Sequence, residues 1–87
     1  MGIKFKFNCG GRIKSELIKK CIKLFYKNNI DKYLEINDLQ EFLQYFLNFK
    51  ITVSDFKIND NNKKIKFYIS YEIAKNKFDN FNVIVNQ

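Results

Sequence analysis

The sequence predicts an α+β fold: one mostly antiparallel sheet with two amphipathic helices packed on one face, in the order strand-helix-helix-strand-strand-strand. Three observations predict it. Residues 3–8 and 64–73 alternate apolar and polar side chains at the two-residue period of half-buried strands. Residues 12–29 and 37–49 repeat their apolar residues at helical spacing. Each segment has one apolar side, and a single sheet covered on one face by both helices buries all of them. The length, 87 residues, leaves room for one domain, spanning 1–87.

The elements follow in chain order. In the first strand Ile3, Phe5 and Phe7 point one way, Lys4, Lys6 and Asn8 the other, and Gly10-Gly11 breaks it. In the first helix Ile13, Leu17, Ile18, Cys21, Ile22, Leu24 and Phe25 form a broad apolar face. Arg12, Lys19, Lys20, Lys23 and Lys27 fall in a sector of roughly 100° opposite. Asn28-Asn29 suits a helix stop, since Asn tolerates the left-handed conformation. Residues 30–36 read as an irregular connection with a possible short extra strand at 32–36. The second helix, 37–49, has Asn37 as N-cap and Gln40 completing a capping box. Its apolar side is Leu39, Phe42, Leu43, Phe46, Leu47 and Phe49; its polar side is Asn37, Gln40, Glu41, Gln44 and Asn48.

Residues 50–59 form a strand whose parity changes: Ile51 and Val53 share one parity and Phe56 and Ile58 the other, and a bulge near Ser54-Asp55 reconciles them. Asp60-Asn61-Asn62 is a turn. In 64–73, Ile65, Phe67, Ile69, Tyr71 and Ile73 point inward, and Lys64, Lys66, Tyr68, Ser70 and Glu72 outward. Residues 75–80 read as a polar loop. Residues 81–86, carrying Phe81, Val83 and Val85, form a last strand at the sheet edge.

Composition excludes several functions. Apolar residues make up 46% of the chain, enough for a core, so global disorder is excluded. No apolar run approaches the ~20 residues of a membrane-spanning helix. The opening Met1-Gly2-Ile3-Lys4 enters the alternating pattern at once, which predicts no signal peptide. There is no His, which removes His-based catalysis and His metal ligands. Cys9 and Cys21 form no CxxC pair, so zinc is not expected; both are read as reduced thiols, Cys21 in the core. The carboxylates are scattered and make no acid–base pair. No cofactor, metal or small-molecule substrate is expected.

Charge placement is the main functional signal. Residues 1–34 hold nine basic and two acidic groups, and residues 35–87 hold seven of each, so the whole excess of +7 lies in the first part. A segregated basic block points to a polyanion. Lys19, Lys20, Lys23 and Lys27 project together on successive turns, matching rows of nucleic-acid phosphates. Arg12 joins that face, and Lys4, Lys6 and Lys14 extend it. Arg12 also follows Gly10-Gly11, where free backbone N–H groups at a helix start could hold a phosphate; a plain tight turn explains the same residues. Lys64, Lys66 and Tyr68 share the outward side of the long strand, where an aromatic among lysines can stack a base. A basic amphipathic helix can also lie on a membrane, but here the core needs its apolar face.

One family resemblance bears on this. In residues 17–36 a Lys-rich helix closes on Lys27-Asn28-Asn29 and is followed by Ile30, Tyr33, Leu34 and Ile36. The stretch resembles the second helix of the eukaryotic-type large-subunit ribosomal protein family twenty-two. Leu39-Gln40-Glu41-Phe42-Leu43-Gln44 is similar to that family's first helix. Phe56-Lys57-Ile58-Asn59 and Lys64-Ile65-Lys66-Phe67 are similar to its hairpin. The two halves stand here in the reverse of the family's order. The resemblance implies a small domain that binds ribosomal RNA on the ribosome surface beside other ribosomal proteins, with Lys19, Lys23 and Lys27 on phosphates.

The expected function is a structural, non-enzymatic, cytoplasmic RNA-binding protein of the large ribosomal subunit. The alternative is a small protein-binding regulator, such as a phage inhibitor of host defence or an accessory subunit, using the polar side of the second helix or the edge strand at 81–86. A small bacterial-type endoribonuclease toxin shares the element order, but needs several Arg, Tyr, His or Glu in a cleft. This chain has one Arg and no His.

Overall fold

The computed structural model describes residues 2–8, 12–29, 35–59 and 63–87. The element order is β1 (Lys4–Asn8), α1 (Ile13–Asn28), α2 (Ile36–Phe46), β2 (Ile51–Asn59), β3 (Lys64–Ala74) and β4 (Lys77–Asn86). The four strands form one antiparallel sheet in the order β1-β4-β3-β2, with both helices on one side. The fold is α+β, in the element order the sequence predicts. The Gly10-Gly11 and Asp60-Asn61-Asn62 turns, Cys9 and most of the suggested strand at 32–36 lie outside the described residues. The last two residues of that strand belong to helix α2: Glu35 is its N-cap and Ile36 its first residue.

Both helix starts are closed by the side chain three residues in. The Arg12 N–H donates to Ser15 Oγ (3.2 Å), whose hydroxyl donates to the Arg12 carbonyl (2.8 Å). The Glu35 N–H donates to Asp38 Oδ2 (2.8 Å). Helix α2 therefore starts earlier than Asn37. Gln40 does not cap the helix but reaches the sheet. Its Nε2 donates to the Ile51 carbonyl and its Oε1 accepts from the Val53 N–H, each at 2.6 Å. That amide occupies two backbone groups of edge strand β2, which would otherwise face solvent unpaired. Helix α2 ends at Phe46 rather than residue 49, because Leu47 is extended (φ −109°, ψ 136°) and turns inward. At the end of α1 Asn29 is not left-handed (φ −127°); its Nδ2 donates to the Phe25 carbonyl at 2.7 Å, closing the helix through its side chain.

The strand defect at Ser54-Asp55 is a bulge. Ser54 pairs with Tyr68 and Lys57 with Lys66, so one extra residue sits on β2, and Asp55 takes φ 53°. Asp tolerates that left-handed geometry better than most residues. The polar loop expected at 75–80 shrinks to Lys75-Asn76, because Asn76 accepts φ 59° and lets Ala74 pair with Lys77. Strand β4 is not an edge: β1 pairs along its outer side, Phe5 against Val85 and Phe7 against Val83. The edges are β1 and β2.

The core lies between the helices and the sheet. Ile18, Ile22, Phe25 and Tyr26 of α1 and Leu39 and Leu43 of α2 meet Ile65, Phe67, Ile69, Tyr71, Phe81, Val83 and Val85. Phe67 stacks on Tyr26 and Phe56, and Phe25 packs on Phe42 between the helices. The buried side of α1 is rotated from the expected one. Ser15 and Tyr26 are fully buried, whereas Ile13, Leu17 and Leu24 are exposed. Cys21 is a half-buried free thiol, and burial raises its pKa.

The Tyr26 hydroxyl is buried with no hydrogen-bond partner among the described residues, and desolvation raises its pKa well above the ordinary tyrosine value. Tyr26→Phe is therefore expected to raise stability by about 1 kcal/mol at neutral pH, since the orphaned hydroxyl is removed from both sides of the balance. Above about pH 10 the unfolded chain releases this proton while the folded chain retains it, so Tyr26 costs stability as pH rises. Urea midpoints at neutral and alkaline pH should show the gain from Tyr26→Phe growing above that value. A constant gain would place the hydroxyl in contact with water.

Candidate nucleic-acid interface

The side of the sheet away from the helices is uncovered, and the register places its side chains in rows across the strands. Lys4, Asn86, Lys64 and Asn59 form the row at one end; Lys6, Ile84, Lys66 and Lys57 form the next. These two rows bring together five lysines from three strands, and none has an ion-pair partner among the described residues. The third row is uncharged: Asn8, Asn82, Tyr68 and Ser54. Rows are about 7 Å apart along a strand and strands about 4.8 Å apart, so the lysine band spans the whole width of the sheet. Lys57 and Lys66 stand directly opposite each other, a like-charge pair that weakens the bare sheet and is relieved when an anion sits between them.

Two open hollows flank the ridge formed by Asn82 and Ile84 on β4. One, of about 270 Å³, lies between this ridge and Lys6 and Asn8 of β1. The other, of about 530 Å³, lies between the ridge and Lys57, Lys66, Tyr68 and Asp55. The Tyr68 hydroxyl donates to Asn80 Oδ1 at 3.3 Å, drawing the ring across towards β4. Asp55, held outward by the bulge, is the one carboxylate lining either hollow among the described residues.

The helix residues expected to lead the contact are divided by the structure. Lys14 turns inward: its Nζ donates to the Glu72 carbonyl at 2.9 Å and lies 4.8 Å from the Phe49 ring centre. Lys19 is paired with Glu16 at 3.0 Å, with its side chain only 19% exposed. Lys19 and Lys23 each place Nζ 5.8 Å from the Phe7 ring centre, beside edge strand β1. Arg12 pairs with Asp79 at 3.4 Å. Lys20 and Lys27 are exposed on α1 with Lys23 between them, and exposed Leu17 and Leu24 lie beside them. By contrast Lys4, Lys6, Lys64 and Lys66 converge on the open face. Lys57, Asn8, Asn82 and Ile84 were not among the expected site residues. Lys57 could have been found, since the bulge that brings Phe56 and Ile58 inward turns Lys57 outward; its position opposite Lys66 could not.

Among the described residues no group of His, Cys, Asp and Glu could hold a metal ion, and no helix is long and apolar enough to cross a membrane. No protein-family model, no curated protein and no solved structure matches the chain.

Proposed function

We propose that the protein is a non-enzymatic RNA-binding protein that engages phosphates through the lysine band on its open sheet face. The single observation that carries this reading is the alignment of Lys4, Lys6, Lys57, Lys64 and Lys66 in two adjoining rows with no carboxylate among them. Lys23, beside the β1 edge, extends the positive surface around the side of the sheet. A cytoplasmic place on the large ribosomal subunit is the finer form of the proposal, and it rests on the resemblance of the Lys-rich helix. A protein-binding regulator is the second reading. Leu17, Leu24, Tyr45 and Phe46, all exposed on the helical side, favour it, and on a ribosome they would face neighbouring proteins.

The test is RNA affinity as a function of salt. Contact with four or five phosphates of a single strand gives a slope of about −3 in log affinity against log salt. A flat dependence, or no binding at low salt, would overturn the proposal. Sedimentation of a native extract before and after ribonuclease tests the finer form: co-migration with the large subunit that is lost on digestion supports it. A nuclease-resistant complex with a protein supports the regulator.

A further inference from the structure

We infer that the open sheet binds single-stranded rather than duplex RNA, seating bases in the two hollows beside the Asn82–Ile84 ridge while the lysine band holds the phosphates. The inference rests on the RNA-binding reading and deepens it. The chemistry of the face changes in one step along the strands. The first two rows offer charge for phosphates, and the third, about 7 Å further on, offers side-chain amides, a hydroxyl and the Tyr68 ring. That is roughly the offset between the phosphate and the base of one extended nucleotide, so a strand laid across the sheet puts its backbone on lysines and its bases over the third row.

Each hollow carries lysine at one end, Lys6 in the smaller and Lys57 and Lys66 in the larger, and groups suited to a base at the other. Ile84 supplies an apolar surface shared by both, and Tyr68 supplies a ring beside the larger one. Asn82 borders both hollows and can donate to and accept from a base edge. Asp55 would repel a phosphate, but it can accept from the exocyclic amino group of a base. A duplex keeps its base faces stacked within the helix, so neither Tyr68 nor Ile84 could reach them, and only the lysine contacts would survive.

The experiment compares a short single-stranded RNA with an RNA duplex carrying the same number of phosphates, at one salt concentration. The wild-type protein should bind the single strand about tenfold more tightly, the contribution of one stacked base. Tyr68→Leu should weaken single-strand binding about tenfold and leave duplex binding and the salt slope within about twofold; Tyr68→Phe, which keeps the ring, should restore the wild-type affinity. Equal affinity for both RNAs in the wild-type protein would overturn the inference without needing any variant. Equal weakening of both RNAs by Tyr68→Leu would overturn it too. Either result leaves phosphate binding by the lysine band standing, whereas failure to bind either RNA removes both readings.

Discussion

Lys6→Glu combined with Lys66→Glu is expected to lower RNA affinity about a hundredfold at low salt while leaving the fold intact. Both residues lie in the second row of the open face, on either side of Ile84, and both border the hollows. Reversal there removes two phosphate partners and sets two carboxylates in the path of the backbone. The fold should survive because neither side chain enters the core; both are exposed. Lys66→Glu also turns its cross-strand pairing with Lys57 from like to opposite charge, so thermal stability should hold or rise. Lys20→Glu combined with Lys27→Glu changes the net charge by the same amount on the exposed side of α1, and should weaken binding only about threefold, through the long-range field. Titration of one labelled RNA with the two double variants decides the matter. Equal losses would mean that total charge governs binding; a larger loss from the helix variant would return the site to α1.

Phe67→Ala is expected to cost about 4 kcal/mol, most of the stability of a domain this small. Phe67 is 2% exposed on β3, one of the two central strands. Its ring stacks between Tyr26 of α1 and Phe56 of the bulged part of β2, with centroids at 6.5 and 5.9 Å. Truncation opens a cavity where helix and sheet meet, and Tyr26 and Phe56 are too large to move into it cheaply. Phe67 also lies between Lys66 and Tyr68 in sequence, so its packing sets the orientation of two neighbours on the opposite side. Urea unfolding should show the midpoint falling sharply with an unchanged slope. A loss below about 1 kcal/mol would mean that the core repacks around the gap.

Local pattern carried most of the fold. Alternation placed β1 and β3, and the apolar parity change in 50–59 located the bulge that Asp55 makes with its positive φ. What local pattern missed depends on partners distant in sequence. Gln40 looks like a capping residue until β2 is seen beneath it, offering a carbonyl and an N–H at 2.6 Å. Lys14 looks like part of a cationic face until the Glu72 carbonyl and the Phe49 ring are seen to take its ammonium. A helical wheel groups residues by angle alone. It could not tell that α2 and the sheet would bury Ser15 and Tyr26 and leave Leu17 and Leu24 outside.

Local sequence is enough for the class of fold, the order of its elements, the inward residues of β3 and a basic first two-fifths ahead of a neutral remainder. These follow from local periodicity and from the signs of side chains, which need no knowledge of neighbours. Where the positive surface lies follows from the strand pairing. Pairing β1 with β4 sets Lys4 and Lys6 in the same rows as Lys64 and Lys66, and pairing β2 with β3 adds Lys57. Two lysines of the basic segment are thereby joined by three from the neutral remainder, on the face the helices leave open. Strand order is set by which apolar faces fit together in the core, and that is a property of the whole chain rather than of any one segment of it.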